Sequence, residues 1–408
     1  MPAPLSHIRV LDLSRVLAGP WCTQNLADLG AEVIKVEKPG SGDDTRAWGP
    51  PWLKDAAGRD TGESAYYLSC NRGKKSLALD LAHPEGSRIV RELARRCDVL
   101  VENFKVGGLA KYGLDWDSLH ALNPRLVYCS ITGFGQDGPY AARPGYDFIV
   151  QGMGGLMSVT GAPDEAPGGG PQKVGVAVAD LFAGMYATVA VLAALTLREK
   201  SGEGQHIDLA LLDAQVAMLA NQNMNFLVSG EPPARLGNAH PNNVPYQSFA
   251  SADGHLILAV GNDAQFRRFC EVAGQPALAE DARFMTNRAR VAHRAELIPL
   301  LEPILRRRKT RAWIEALEAA GVPCGPINRL DEVFADPQVG HRRLRLELPH
   351  PLAGSVPQVA GPIRFSAAPS TAATAPPLLG QHTDEVLRGV LQLPAQECAR
   401  LRELGVIA

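Results

Sequence analysis

The chain is poor in the features that announce most function classes. Its seven cysteines are scattered through 408 residues, odd in number and without a CxxC pair. That excludes a disulfide framework and a cysteine-built zinc site, and it fits reduced thiols in a cytoplasm. Charge of one sign is missing too: Lys+Arg 41 against Asp+Glu 43 leaves a net −2, which gives nucleic acid no basic surface to meet. The one basic run, Arg306-Arg307-Arg308-Lys309, suits the C-terminal end of a surface helix. Phosphate loops are absent. After Leu13 the chain reads Ser14-Arg15-Val16-Leu17-Ala18-Gly19-Pro20, one glycine where a dinucleotide turn needs GxGxxG, and no Walker A loop occurs. The start, Met-Pro-Ala-Pro-Leu-Ser, has no charged segment followed by an apolar one, so no secretory signal is expected. Long apolar runs are nearly absent. Val174 to Leu197 is long enough to span a bilayer, but it contains Asp180, is rich in alanine and glycine and has no companion. It reads as a strand or loop leading into a buried helix, with no membrane partner.

What is present is an α/β pattern. Apolar runs at Ile8–Leu13 and Ala31–Glu37 flank a helix from Thr23 to Leu29, a βαβ unit that implies a parallel sheet. The pattern recurs with strands at Ser76–Leu81, Val99–Glu102 and Leu126–Ile131, and a helix opened by Pro84. A strand from His206 runs into a long helix through Phe226, and Pro232-Pro233 marks a change of character. The expected fold is therefore α/β, with a large Rossmann-like open-sheet domain over 1–227 and a smaller α+β domain over 228–330. The segment 331–408, Pro-, Ala- and Ser-rich around 353–377, would return to the first domain.

In open sheets, ligands bind at the carboxyl ends of the strands. Those loops are Arg15–Pro20, Lys38–Arg46, Asn71–Lys75 and Asn103–Gly108. Cations on successive strand ends suit a ligand with separated phosphates, such as coenzyme A.

The motifs Leu11-Asp-Leu-Ser-Arg-Val-Leu-Ala-Gly-Pro20, Gly30-Ala-Glu-Val-Ile-Lys-Val-Glu37, Gly40-Ser-Gly-Asp-Asp-Thr-Arg46 and Asn71-Arg-Gly-Lys-Lys-Ser76 stand in order with three more. These are Asp98-Val-Leu-Val-Glu-Asn-Phe104, Ser130-Ile-Thr-Gly-Phe-Gly135 and Gly175-Val-Ala-Val-Ala-Asp180. Together they resemble the class III CoA-transferases, the superfamily of formyl-CoA transferase and α-methylacyl-CoA racemase, from Ile8 to about Gly405. The resemblance implies an interlocked, ring-like homodimer and no permanently bound cofactor or metal, with coenzyme A and acyl-CoA as substrates beside small carboxylic acids. It places the nucleophile on Asp180. It implies coenzyme contacts from Val16, Ala18, Lys38, Arg72, Lys75, Asn103, Phe104 and Lys111, with Tyr146 and Asp147 beside them. Leu17 stands where the formyl-CoA enzymes have glutamine, so the acyl pocket should differ from theirs.

A carboxylate nucleophile splits one difficult exchange into easier covalent steps, through an aspartyl anhydride and an aspartyl-CoA thioester. Gly152, Gly154 and Gly155 are candidates for oxyanion donors or for plain turns. The racemases use a histidine where this chain has Tyr146 in Gly145-Tyr146-Asp147, and an ordinary tyrosine is a poor base for an α-proton. Transfer is favoured over racemisation, and an intact Asp180 speaks against a CoA-binding protein without catalysis. The stretches Ala239–Gln247 and Leu379–His382 most resemble the succinyl-CoA:glutarate branch of the family. A dicarboxylate calls for an arginine. Arg15 is the first expectation, Arg46 the second, and His240 would line the acyl site.

Overall fold

The computed structural model describes residues 2–368 and 374–408. The chain folds as two units, Met1–Leu156 with Val174–Met224 and Gly340–Ala408, and Met157–Lys173 with Asn225–Val339.

In the first unit six parallel strands form one sheet. They are β1 (Arg9–Asp12), β2 (Glu32–Glu37), β3 (Lys74–Ala78), β4 (Val99–Glu102), β5 (Val127–Thr132) and β6 (His206–Ala210). They lie in the order β3-β2-β1-β4-β5-β6, the order of dinucleotide-binding sheets, although the glycine fingerprint is missing. Alternate residues face opposite sides of a strand. Val10, Val33, Val99 and Cys129 thus face one buried cluster, while Leu11, Ile34, Leu100 and Tyr128 face another. Both faces are covered, which is why the strands read as continuous apolar runs. The tail contributes Val386, Leu387 and Leu401 to the second cluster.

Helix α1 (Ala18–Asp28) follows β1, and α2 (Asp147–Met153) precedes the long α3 (Val178–Ser201). Helix α1 begins five residues before the expected start. Gly19-Pro20 looks like a turn in the sequence, but first-turn N–H groups have no intrahelical acceptor, so Pro20 sits there without loss. Helix α3 is long and apolar enough to cross a bilayer. Its buried stripe of Ala179, Ala183, Ala187, Val191 and Ala194 packs onto the sheet and α1. Small residues set how near the helices come. A Cβ on Gly184 would stand 2.6 Å from the carbonyl oxygen of Ala18. The alanine-glycine composition thereby brings the second turn of α3 close to the start of α1.

The expected helix from β6 through Phe226 is broken. Leu211–Met218 and Asn221–Ser229 are separate helices, with Ala220 between them at a φ of 43°. The second unit pairs strands β7 (Tyr246–Ala250), β8 (His255–Ala259) and β9 (Cys324–Pro326) antiparallel in the order β9-β8-β7. Helices Asp263–Val272, Arg294–Leu305 and Thr310–Ala319 build with them a core around Phe249, Phe266, Phe269 and Trp313, an α+β arrangement. This unit includes Met157–Lys173, which the sequence pattern assigns to the large domain. Gly237 N–H bonds the carbonyl of Gly161 at 3.0 Å and Arg235 pairs with Asp164, contacts across some 70 residues of sequence that no local pattern announces.

Candidate active site

The loop from β1 to α1 is fixed at nearly every backbone group. Ser14 donates through its N–H and Oγ to Asp12, at 3.0 and 2.5 Å. Its carbonyl accepts from Lys35 Nζ at 2.8 Å. The Asn103 side chain accepts from Arg15 N (2.9 Å) and donates to Arg15 O (2.7 Å). Val16 N–H reaches Asp43 Oδ1 at 3.2 Å, with φ at 72°. That region is a true outlier for a β-branched residue, worth about 1–3 kcal/mol of strain, and the surrounding bonds hold it.

Those bonds rest on buried ions. Lys74 pairs with Asp12 at 3.1 Å, Lys35 with Asp43 at 2.8 Å, and Arg46 with Glu37 at 2.8 Å. Burial alone would raise the Asp43 carboxyl, but Lys35 and the Thr45 hydrogen bonds outweigh it and hold it at about 2.

Asp180 lies in the first turn of α3, partly buried. The helix is capped from outside. Asp147, at the start of α2, accepts from Ala179 N at 2.8 Å and Asp180 N at 3.4 Å through Oδ2. Its other oxygen takes the amide of buried Gln151 at 2.6 Å, and Gln151 Oε1 accepts from Val174 N at 2.9 Å. One i, i+4 pair on α2 thus clamps both ends of the segment that carries Asp180.

Desolvation first, and then the charge of Asp147, push the Asp180 carboxyl up to about 7. The rise from 3.8 corresponds to about 4 kcal/mol against the charged form. The helix N-terminus returns only about 0.3–1 kcal/mol, so it loses. Among the described residues no cation pairs with Asp180. Tyr66 is the neighbour the sequence did not reveal. Burial, then Asp180, raise its hydroxyl to about 12, so it remains a donor, and Trp48 packs edge-on against it at 5.1 Å. Neither aromatic belongs to a spaced motif, and only the fold brings them together.

Arg15, Val16, Leu17, Ala18, Asn103, Phe104, Tyr146 and Asp180 line one cavity of about 330 Å³. Lys38 borders an adjoining one of about 390 Å³, which shares Arg15, Asp44 and Phe104 with it. Other predicted residues stand elsewhere. Arg46 lines neither cavity and is consumed by Glu37, Glu63 and the Pro377 carbonyl, its guanidinium 3.7 Å over the Tyr67 ring. Arg72 forks onto Asp28, and Lys75 bridges Glu32 and Glu385 at 2.8 Å each. Lys111 lies 4.7 Å over Tyr112. His240 belongs to the second unit, where Nδ1 accepts from Asn242 and Asn243 N–H at 3.0 and 3.1 Å, a turn-locking pattern. Gly154 gives way to Gln215, whose Cγ would lie 2.4 Å from a Cβ there, and Gly155 has a φ of 85°, so both have packing or turn reasons for being glycine.

The fastened β1–α1 loop and Asp180, which no cation pairs with among the described residues, thus border one cavity of a parallel-sheet unit. The family model of CoA-transferase family III matches residues 5–383, and the chain belongs to that family. It is an enzyme whose substrates are CoA thioesters. It is 56% identical to the succinate–glutarate CoA-transferase of Agrobacterium fabrum, covering 94% of this chain and 95% of that one. With the human succinyl-CoA:glutarate CoA-transferase it shares 44%, over 99% and 90% of the two chains. A solved CAIB/BAIF family protein from Brucella suis superposes with a TM-score of 0.84 at 49% identity, over 96% of this chain and all of that one.

Proposed function

We propose that this enzyme moves coenzyme A from succinyl-CoA to a second dicarboxylic acid, glutarate, through covalent intermediates on Asp180. An Asp180 oxygen attacks the thioester carbonyl, the C–S bond breaks, and CoA thiolate leaves behind a succinyl-aspartyl anhydride. The thiolate attacks the Asp180 carbonyl and displaces succinate, giving the aspartyl-CoA thioester. Glutarate repeats the sequence in reverse and leaves as glutaryl-CoA. No proton is exchanged in any step, so the reaction needs no general base, only a nucleophile and donors for the oxyanions. The first-turn N–H groups of α1 suit that second role, because Leu17 caps the helix without a side-chain bond and Leu17 and Ala18 border the cavity.

The observation that carries the reading is the state of Asp180 itself. An aspartate held without a cation and beside Asp147 is destabilised as a carboxylate. Both penalties vanish when it becomes a neutral acyl derivative, so the site favours the anhydride and thioester over the resting ion. The enzyme is further proposed to act as a homodimer. Phe182, Met185, Tyr186 and Val189 leave an exposed apolar stripe on α3, which a second copy of the chain would cover, and light scattering at the native concentration reads the mass. Transfer is tested by following glutaryl-CoA formation from succinyl-CoA and glutarate. Asp180→Ala should lose at least about 10³-fold in rate. Comparable rates in the variant would reject the covalent route.

A further inference from the structure

We infer that Arg143 binds the distal carboxylate of the dicarboxylate substrate and sets the enzyme's preference for diacids. The inference deepens the proposed function and rests on it. A diacid joined through one carboxyl group to Asp180 leaves a second carboxylate inside the cavity, and a charge withdrawn from water needs a partner. Three cationic side chains border that cavity, Arg15, Lys105 and Arg143. Arg15 is already paired with Asp44 at 2.9 Å and lies over the Phe104 ring. Lys105 offers a point charge and also borders a neighbouring cavity beside Glu102 and His206. A planar fork, by contrast, matches a carboxylate with two parallel hydrogen bonds.

Arg143 supplies such a fork. Among the described residues the contacts recorded for its guanidinium are with two aromatic rings. Its carbon lies 4.6 Å from the Tyr140 ring centroid and 5.7 Å from that of Phe134, and those rings meet edge to face at 5.6 Å. Ring contacts of this kind hold a guanidinium without using its N–H groups, which remain for a ligand.

The loop that carries it is held at its base. Gly133 and Gly145 touch backbone to backbone, so that a Cβ on either would come within 2.4 Å of the other's Cα. Gly135 N bonds Thr132 Oγ1 at 2.9 Å, Gln136 N bonds Asp208 Oδ2 at 3.0 Å, and Arg143 N bonds Tyr140 O at 2.9 Å. Beyond Gly145 the chain passes directly into Tyr146 and Asp147, and Asp147 accepts from the N–H of Asp180 itself. Nucleophile and fork are therefore joined by a short run of fastened backbone, as discrimination by length and charge requires.

The test compares glutarate with pentanoate, which has the same chain length and no second carboxylate, as acceptors from succinyl-CoA. For Arg143→Gln the preference for glutarate in kcat/KM should fall about 10- to 100-fold, the size of a lost charged hydrogen-bond pair. Arg143→Lys should keep part of it. Affinity for free coenzyme A, read by calorimetry, should stay the same in both variants, showing that the fold and coenzyme site are intact. An undiminished glutarate preference in Arg143→Gln overturns the inference, as does a loss of coenzyme A affinity with that preference preserved. No transfer to either acid by the wild type would instead defeat the proposed reaction.

Discussion

Asp43 and Asp180 are both withdrawn from water, yet Asp43 remains a carboxylate down to about 2 while Asp180 is half-protonated near 7. The sign of the neighbour makes the difference. Asp43 faces Lys35 at 2.8 Å and accepts from Thr45 and Val16 N–H. Asp180 faces Asp147, to which its own N–H donates at 3.4 Å, and among the described residues no cation pairs with its carboxylate. Burial raises both, and only one is offset. One half of the site thus uses compensated charge to hold a strained loop still, and the other leaves a charge uncompensated, the state on which the proposed reaction rests.

Breaking the compensated half should have the largest effect on stability. Lys35→Met leaves Asp43 buried without its cation, and removing one partner of a buried pair costs about 3–5 kcal/mol. Urea denaturation should show that loss. A variant within about 0.5 kcal/mol of wild type would mean that the network does not hold the loop.

The next largest contrast is in pH. Asp180 binds its proton more tightly folded than unfolded, so its favourable contribution is complete below about 3.8 and is lost as pH rises towards 7. Asp43 behaves oppositely. Its contribution is present above 3.8 and disappears as pH falls towards 2. Asp180→Asn should therefore gain stability at pH 8 relative to pH 4, by up to about 4 kcal/mol, while Asp43→Asn should lose more at pH 7 than near pH 2. Parallel pH profiles for the two variants would erase the distinction.

The smallest effect sharpens the cause. Asp147→Asn keeps an oxygen for the Ala179 N–H but removes the second-largest influence on Asp180, leaving desolvation, the largest. The acid limb of kcat should move to lower pH without vanishing. An unmoved limb would leave burial as the sole cause.

Much of this half of the molecule is legible from sequence, because the βαβ strands are apolar runs with clear breaks and Asp180 closes one of the blocks that carry the family resemblance. Other parts are not. Arg46 lies beside Asp43 and Asp44 in a loop and reads as a ligand cation, but its partners Glu37 and Glu63 come from different strands. Arg72 is engaged by Asp28 across 44 positions in the same way. Cations on strand ends are visible in a sequence, and the acids that occupy them are not. Trp48 and Tyr66 illustrate the converse, since an aromatic pair carries no spacing signal until the chain folds.

The most direct measurement is intact-protein mass spectrometry of the chain mixed with succinyl-CoA, with peptide mapping and Asp180→Ala alongside. A CoA-sized adduct on Asp180, absent from the variant and discharged by glutarate, is the predicted result. A protein that binds coenzyme A and turns over while Asp180 never carries an adduct, or one whose adduct maps to another residue, would contradict the claim that this carboxylate is held uncompensated in order to be acylated.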